Sequence, residues 1–430
     1  MPLRLDMSNP NFEADFELFV SAKRDIEEDV DAVTAMIIDD VRRNGDQAVA
    51  AYTRKFDRLS LTPGEFAVDP RQIDKAVDTC DPKTIEALQL AAVRIRTFHE
   101  TQLPKALEFE DSEGVKLGAR WTPLDAVGLY VPGGTASYPS SVLMNAVPAN
   151  VAGVHRIVMV VPTPDGVINP LVLAAAKISG VSEIYQIGGA QAVAALAYGT
   201  ETIRAVDKIV GPGNAYVAAA KRRVFGVVGI DLIAGPSEIL VVADAKNDPD
   251  WIGIDLLSQA EHDTAAQSVL ITDSAEFADR VSAAVDERLK TLPRAKIAAQ
   301  SWHDQGAVIV VESLEDAVEL VDRIAPEHLE LAVDNPEALA GKISHAGAIF
   351  LGRYTPEAIG DYVAGPNHVL PTSRSARFSS GLGVPDFMKR TTMVACDRES
   401  LGRIGPAAVA LAKAEGLDAH ALSVAIRLAP

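Results

Sequence analysis

Cysteine is nearly absent from this chain, since only Cys80 and Cys396 occur among its 430 residues. Two cysteines so far apart in sequence exclude a disulfide framework and a zinc cluster built from cysteines. Such scarcity is typical of proteins of the reducing cytoplasm, and a cytoplasmic location is therefore expected.

Long hydrophobic runs are missing as well. Apolar runs such as residues 157–161 are far shorter than the ~20 residues that a membrane-spanning helix needs. Residues 1–19 hold no apolar segment flanked by basic residues, so neither a signal peptide nor a membrane partner is expected.

Positive charge is in deficit: 40 basic residues face 59 acidic ones, and the formal net charge is -19. Nucleic acids and anionic membranes attract clustered Lys and Arg, so neither is an expected partner. A small neutral or cationic substrate fits this charge better.

The residues that are present indicate a large folded protein. Hydrophobic residues make up 48% and charged residues 23% of the chain, as in folded globular proteins. Single hydrophobic cores stop growing near ~250 to 300 residues, so a chain of this length should form at least two globular units.

One unit repeats along the sequence from residue 127. A short β-branched run is followed by a turn rich in Gly or Pro and then by an Ala-rich stretch with helical spacing, as in VGLYVPGG, RIVMVVPTPDG, EIYQIGGAQAVAALA and KIVGPGNAYVAAAK. A second series begins at residue 238, with EILVVAD, SVLITD, AVIVVE and AIFLG. Continuous apolar strands that alternate with helices predict parallel sheets buried on both faces. The expected fold class is α/β, with helical segments in residues 1–60 and beyond residue 387.

Glycine turns follow the strands of the first series. Gly188 and Gly189 precede one predicted helix, and Gly211, Gly213 and Asn214 precede the next. Ligands of parallel sheets bind beyond the carboxyl ends of the strands, and helix N-termini there can hold a phosphate. Neither turn has the dinucleotide fingerprint G-x-G-x-x-G. An equally good interpretation is that the glycines serve only as tight turns, with Asn214 as an ordinary N-cap.

The segment 247–263 predicts a helix, with Asp248 as N-cap and Pro249 in the first turn. Gln259 continues its apolar stripe, and His262 lies three residues later. The pair can be a buried hydrogen-bonded pair or two metal ligands, and Gln is an unusual ligand.

The C-terminal residues offer further candidates. Gly416 indicates a helix end, and Asp418 the N-cap of a final helix with His420 in its first turn. The positive end of a helix keeps an imidazole neutral, as a metal ligand requires. Glu415 is either a solvated side chain or a binding group. Asp361, in a long turn-rich segment, is either a turn residue or an oxygen ligand.

Glu327 and His328 stand together after Pro326, near a predicted helix start or turn. Histidine is easily poised as a base near neutral pH, and a neighbouring carboxylate can activate water. An exposed Glu in a first turn and a partly buried His are the alternative.

Several long motifs occur in one order: GLYVPGGTASYPSSVLMNAVPA, IGGAQAVAALAYGT, VGPGNAYV, AGPSEILVVAD, DLLSQAEHD, APEHLEL, GDYVAGPNHVLPT, SARFSSGL and AEGLDAHALSVAIR. From about residue 25 to the C-terminus, these motifs resemble the histidinol dehydrogenase family. The resemblance implies two Rossmann-like parallel-sheet units with helical extensions at both termini. It also implies a helical arm (1–28), a larger α/β domain (29–133 and 238–380), an NAD-contacting domain (134–237) and a helical tail that reaches the partner of a homodimer (381–430).

The resemblance implies a role for each candidate residue. The implied zinc ligands are Gln259, His262, Asp361 and His420, and the implied catalytic pair is Glu327 and His328. The implied substrate-binding residues are Ser237, Gln259, His262, His328, Asp361, Glu415 and His420. The implied NAD contacts are Tyr130, Gln191 and Asn214.

The implied reaction is a four-electron oxidation of L-histidinol to L-histidine through L-histidinaldehyde, which consumes two NAD and belongs to histidine biosynthesis. One Zn2+ per subunit would orient the substrate, His328 would take a proton, and Glu327 would help water to add to the aldehyde. A dehydrogenase of the same family acting on another polyol or sulfonate alcohol is one alternative. A zinc-dependent hydrolase with Glu327 as general base is a more distant one.

Overall fold

A computed structural model describes residues 1–22, 28–133, 138–233 and 235–429. Within these residues, the strands form three sheets, of six, five and three strands. The predicted α/β class is confirmed.

The helices, in chain order, are α1 Phe12–Ser21, α2 Glu28–Phe56, α3 Pro70–Thr79, α4 Pro82–Glu100, α5 Pro139–Ala152, α6 Pro170–Ser179, α7 Gly189–Tyr198, α8 Ala215–Val224, α9 Pro249–Ala260, α10 Ala275–Arg288, α11 Ala295–Gln305, α12 Ala317–Ile324, α13 Pro336–Ala340, α14 Glu357–Tyr362, α15 Arg398–Ala414 and α16 Asp418–Leu428. The strands are β1 Leu3–Asp6, β2 Leu107–Glu110, β3 Lys116–Pro123, β4 Ala126–Tyr130, β5 Arg156–Val160, β6 Glu183–Tyr185, β7 Lys208–Val210, β8 Gly229–Ile230, β9 Glu238–Ala243, β10 Gln267–Thr272, β11 Ala307–Val310, β12 His328–Ala332, β13 Ala348–Leu351 and β14 Met388–Ala395.

The five-stranded sheet has the order β6-β5-β4-β7-β8, and its strands are parallel. Both faces are covered, which explains why its strands are continuous apolar runs. One core contains Leu88 and Ile95 of α4 together with α5 and α6. The other contains Ile37 and Val41 of α2 together with α7 and α8. The helices between residues 28 and 100 therefore pack on this sheet. Helix α4 also contacts residues 363–364, because the Arg94 side chain donates to Val363 O and Ala364 O. The exact domain boundaries stay a prediction.

The six-stranded sheet has the order β1-β11-β10-β9-β12-β13 and is also parallel. Its edge strand β1 comes from the very N-terminus, where a helical arm was expected. Leu3 aligns with Ala307 of β11, and Leu5 is buried in the core with Phe12 and Phe16 of α1. The arm thus begins as a strand and continues as a helix.

Strand β12 corrects the prediction of a helix start or turn at Glu327. Helix α12 ends before Ala325, which has a left-handed φ of 49°. A left-handed residue followed by proline ends a helix, and the chain then enters the middle of the sheet between β9 and β13. His328 is therefore the first residue of a buried strand.

The C-terminal residues were expected to be helical from residue 388. Instead, β14 forms an antiparallel sheet with β3 and β2, and helices α15 and α16 follow as a hairpin. Gly416, with φ 73°, ends α15 as predicted: its N–H donates to Lys413 O, and Leu417 N–H donates to Ala412 O. The N-cap of α16 is Leu417, one residue before the predicted Asp418.

No helix in the described part of the chain is both long enough and apolar enough to cross a membrane.

Candidate active site

The amino ends of β9 and β12 bring the predicted catalytic pair into a buried position. Glu327 precedes β12, and its Oε2 accepts a hydrogen bond from Glu238 N–H at 2.9 Å. His328 Nδ1 donates to the carbonyl of Glu238 at 2.9 Å. This second bond fixes the tautomer, so that Nε2 is the nitrogen with a free lone pair. Nε2 is buried and has no hydrogen-bond partner within the part of the chain that the structure describes.

A close backbone approach holds this corner together. Gly347 N–H donates to Pro326 O, and Ala348 N–H donates to Glu327 O, both at 2.9 Å. A Cβ on Gly347 would lie 2.5 Å from Glu327 O, which is too close for any side chain. Glycine at this position therefore allows β13 to pack directly against the residue that carries the carboxylate.

Burial sets the charge state of the pair. Burial raises the pKa of Glu327 well above its ordinary value, and the nearby carboxylates Glu238, Asp361 and Glu357 raise it further. Burial lowers the pKa of His328 from 6.5, although Asp361 opposes that shift. A neutral His328 at neutral pH is therefore favoured, and its free Nε2 can accept a proton.

Helix α9 is confirmed, with Asp248 as N-cap and Pro249 in its first turn. Gln259 is fully buried, and its Nε2 lies 2.9 Å from Nδ1 of His262. Gln259 Oε1 is buried and has no hydrogen-bond partner among the described residues. The charge of His262 also lowers the pKa of His328.

Asp361 comes from α14 and joins the same cluster. Ligand-capable atoms of Asp361, His328 and Glu357 all lie within 4.8 Å of one another. Burial opposes the charge of Asp361, but the hydrogen bond and charge of His368 outweigh it and lower the pKa of Asp361 to about 2. Asp361 is therefore an ionised oxygen donor at neutral pH.

The donor set fits a divalent metal. It combines imidazole nitrogen with an ionised carboxylate, and it includes an amide oxygen that is buried without a partner, the kind of atom that a metal ion would satisfy. The compact group differs from the predicted ligand set, because it contains Glu357 and His328 beside Asp361.

Sequence reasoning missed a buried group of carboxylates behind this site. Burial and the charge of Asp361 raise the pKa of Glu357 to about 9, so this side chain is protonated at neutral pH. Burial raises the pKa of Glu330 well above its usual value and that of Asp255 to about 6. Glu330 Oε1 accepts a hydrogen bond from the backbone N–H of Glu357 and so links β12 to α14. The only sequence signal for Glu330 is its position two residues after His328, which places both side chains on the same face of a strand.

Ser237 lies directly before β9, so it neighbours the residue that holds both catalytic side chains. Its carbonyl accepts a hydrogen bond from Gln267 N–H at 2.9 Å, and its side chain is partly exposed. The position is compatible with the substrate contact that the resemblance implies.

Glu415 and His420 lie elsewhere. Both are exposed on the hairpin of α15 and α16, where they line one open groove with Leu411 and Leu417. Among the described residues, no hydrogen bond or ion pair connects them to Gln259, His262 or Asp361 of the same chain. Of the predicted zinc ligands, Gln259 and His262 contact each other, and Asp361 lies with His328 and Glu357, whereas His420 lies on the C-terminal hairpin.

The predicted cofactor contacts lie at the carboxyl edge of the five-stranded sheet. Tyr130 ends β4, and its hydroxyl accepts a hydrogen bond from Gly189 N–H at 3.0 Å. Burial raises the pKa of Tyr130 to about 12. Gln191 is 1% exposed, and no described residue forms a hydrogen bond with its buried Oε1. A Cβ on Gly189 would lie 2.7 Å from this oxygen.

Asn214 follows β7 and is exposed. Its Oδ1 accepts hydrogen bonds from Tyr216 N–H at 3.1 Å and from Val217 N–H at 3.2 Å, so the N-cap interpretation is confirmed. Capping uses the oxygen of the amide and leaves the amide nitrogen for a ligand.

Comparison with known proteins covers the whole chain. The sequence model of a family described as histidinol dehydrogenase matches residues 21–428. The chain is 66% identical over 429 residues to "Histidinol dehydrogenase" of Rhodospirillum rubrum, an alignment that covers 100% of this chain and 99% of that protein. It is 63% identical over 428 residues to the protein of the same name from Rhizobium meliloti, again covering 100% and 99%.

The fold is also similar to a solved structure. A crystal structure of histidinol dehydrogenase from Elizabethkingia anophelis matches with a TM-score of 0.94 at 37% identity, covering 99% of this chain and 98% of that one. Sequence and fold agree over the full length, and the chain belongs to the histidinol dehydrogenase family.

Proposed function

We propose that this protein oxidises L-histidinol to L-histidine through L-histidinaldehyde, with one Zn2+ per subunit and two NAD consumed in each turnover, in the cytoplasm. The full-length identity of 66% to a protein named histidinol dehydrogenase carries the proposal. The buried Glu327–His328 pair beside nitrogen and oxygen donors supports it.

His328 acts as the base of the alcohol oxidation. Its Nδ1–H is held by Glu238 O, so Nε2 takes the hydroxyl proton of the substrate. The lowered pKa of His328 keeps Nε2 free at neutral pH. Because the ring is 4% exposed, solvent does not compete for this proton.

Glu327 acts in the second oxidation, where water adds to the aldehyde. In the ionised form, its Oε2 is oriented by Glu238 N–H, and its carboxylate takes a proton from the attacking water. The raised pKa of Glu327 makes it a stronger base than an exposed glutamate once it is ionised. Burial of the site keeps the aldehyde from reacting with bulk water.

Gln259, His262 and Asp361 would hold the zinc, with His420 of the partner subunit as the remaining ligand. Tyr130, Gln191 and Asn214 would contact NAD. When bound, zinc orients the substrate and NAD accepts the hydride. Ser237 and the partner's Glu415 would bind the substrate.

A homodimer with exchanged C-terminal tails would complete the site. Two observations support it: His420 and Glu415 lie apart from their own chain's cluster, and the hairpin that carries them exposes the apolar side chains of Leu411, Leu422 and Ile426. Exposed apolar faces of this kind are typical of surfaces that bind another protein.

Absorbance of NADH tests the proposal. Purified protein with Zn2+, NAD and a limiting amount of histidinol should form two NADH per histidinol and release histidine. Turnover of another alcohol without turnover of histidinol would instead favour a different substrate. Hydrolysis without NADH formation would exclude a dehydrogenase.

A further inference from the structure

A buried ion pair lies outside the catalytic cluster, behind one of the glycine turns. Lys221 of α8 contacts Asp231, which follows β8, and their side chains are 2% and 1% exposed. Burial of two charges is unfavourable unless each finds well-placed partners. The role of this pair therefore follows from the groups that it contacts.

Both members of the pair hold the same residue. Asp231 Oδ2 accepts a hydrogen bond from Gly211 N–H at 2.7 Å, and Lys221 Nζ donates to Gly211 O at 3.0 Å. The two peptide groups that flank Gly211 are thus fixed by opposite charges. Bonds to charged partners are stronger than those between neutral groups, so this residue is held firmly.

Gly211 in turn lies against Tyr130. Its φ is 109°, and a Cβ at this position would lie 2.1 Å from Tyr130 O. The hydroxyl of the same tyrosine accepts the bond from Gly189 N–H. Lys221 and Asp231 therefore fix the turn that leads to Asn214 against the residue that also holds the other glycine turn.

Stability alone does not account for the pair. Replacing a buried ion pair by apolar residues is often neutral or stabilising, so two buried charges indicate a geometric role. Lys221 is also too deeply buried to meet a phosphate directly, because its ammonium already contacts Asp231 and Gly211. The remaining role for the pair is to fix the position of the turn at residues 211–214.

We propose that Lys221 and Asp231 are positioning residues for NAD, because they fix the peptide groups of Gly211 and thereby the turn at residues 211–214 against Tyr130. The inference rests on the proposed function. It predicts that neutralising the pair weakens the binding of NAD but not that of histidinol.

The test compares two double variants of the full-length, zinc-loaded protein. Lys221→Met/Asp231→Asn removes both charges, keeps the volumes similar and leaves Gly211 O without its donor. The matched control, Arg156→Met/Glu183→Gln, removes another ion pair of the five-stranded sheet, at 14% and 26% exposure and at the amino ends of β5 and β6. Calorimetry measures the Kd of NAD and of histidinol, and steady-state kinetics measures KM for NAD and kcat.

Loss of one buried bond to a charged group should raise the Kd and KM of NAD at least about tenfold. The Kd of histidinol should stay within about twofold of wild type, because its site is at the six-stranded sheet. Amide hydrogen exchange at residues 211–217 should become faster in the variant. The control should keep the wild-type affinity for NAD.

An unchanged Kd for NAD in the folded variant would overturn the inference, and so would an equal loss of affinity in the control. If Lys221→Met/Asp231→Asn does not fold, Lys221→Met/Asp231→Leu replaces the pair with apolar side chains and takes its place. Failure of both to fold would make the pair a requirement of folding and refute a specific role in NAD binding. A wild-type protein that binds no NAD would refute the proposed function as well, whereas failure of the variants alone to respond leaves it intact.

Discussion

The chemistry of His328 depends on one backbone carbonyl. Glu238 O holds Nδ1, and Glu238 N–H holds Glu327, so a single peptide segment orients both side chains. The two residues nevertheless serve different steps in the proposed reaction, and substitution should separate them.

Glu327→Gln should impair the oxidation of supplied histidinaldehyde more than that of histidinol, because only the second step needs water. General base catalysis typically contributes ~10²- to 10⁴-fold, so a loss of this order is expected in the second step. His328→Ala should slow the first step by a similar factor. Single-turnover formation of NADH from each substrate measures both. Glu337→Gln, on the exposed start of α13, is the control. Equal losses in both steps for Glu327→Gln would assign it to positioning and not to water activation.

His262→Ala should remove the metal and the activity together, because the other two proposed zinc ligands of this chain, Gln259 and Asp361, supply only oxygen atoms, whereas zinc favours sites that include imidazole nitrogen. Metal analysis of the purified protein should give one zinc per subunit for wild type and far less for the variant. His303→Ala, which changes an exposed histidine of α11, should keep its metal. A His262→Ala protein that is metal-free and fully active would contradict the assignment.

Tyr130→Phe should alter the pH dependence of stability. Burial raises the pKa of Tyr130 from 10.0 to about 12. A raised pKa in the folded state stabilises the fold below the unfolded pKa, and this contribution is lost as pH rises towards the folded pKa. Wild type should therefore lose on the order of 1 kcal/mol more of its free energy of unfolding than the variant between about pH 9 and pH 11.

At neutral pH, the same variant should be less stable by about 1 kcal/mol, because Gly189 N–H loses its acceptor. Urea unfolding at several pH values measures both effects. Tyr354→Phe, which alters a tyrosine that is 87% exposed, should show neither. A constant difference between Tyr130→Phe and wild type across this pH range would argue against a raised pKa.

Strands whose sequences show a clear apolar pattern were predictable. Strands β4, β5, β9 and β10 each contain a short apolar run, and their residues are almost all buried, because helices cover both faces of their sheets. Strand β12 was not predictable, because the site places His328 and Glu330 inside it and Pro326 before it. Strand β14 carries mostly exposed side chains, so it lacks the apolar run that marks a buried strand.

The candidate site was predictable only in part, because its residues come from different elements of the chain. Gln259 could be placed near His262 from helical spacing alone, because both belong to one element. Asp361 comes from a different helix and Glu357 from its first turn, so only tertiary structure brings them to His328. Family resemblance supplied Asp361 and His420, and no sequence pattern pointed to Glu357.

Alanine substitutions of two glycines in the α15–α16 hairpin should change the stability of the protein in opposite directions. Gly416 has a left-handed φ of 73°, whereas Gly402 lies inside α15, and a Cβ at either position would meet no atom within 4 Å. Gly416→Ala should destabilise the hairpin by about 1 kcal/mol through backbone strain. Gly402→Ala should stabilise it by about 0.5 to 1 kcal/mol through helix propensity. Thermal unfolding measures both, and a stabilising Gly416→Ala would contradict the strain.

At the scale of the whole molecule, the position of His420 predicts a site shared between two chains. Coexpression of a His328→Ala chain with a His420→Ala chain gives a mixed dimer that can be isolated with two affinity tags. With exchanged tails, one site carries both defects and the other carries neither, so activity should return to about half of wild type if the sites are independent. Each variant alone should be inactive. A mixed dimer without recovered activity would show that each tail completes its own chain's site.

The two parallel sheets carry their predicted functional residues at opposite edges. The glycine turns lie at the carboxyl edge of the five-stranded sheet, whereas Glu327 and His328 lie at the amino edge of the six-stranded one. At the carboxyl edge of the six-stranded sheet, Arg353 forms ion pairs with Asp244 and Asp334, and its distance to Asp334 is 2.9 Å. Asn247 also donates to Ala332 O at 2.6 Å.

The contacts at this carboxyl edge indicate where the enzyme can be immobilised on a solid support. A linker anchored in the loop at residues 244–248 would leave from the end of the sheet opposite Glu327 and His328. The same loop begins α9, whose far end carries Gln259. Immobilisation there should preserve turnover, because a whole layer of parallel strands separates the anchor from the chemistry.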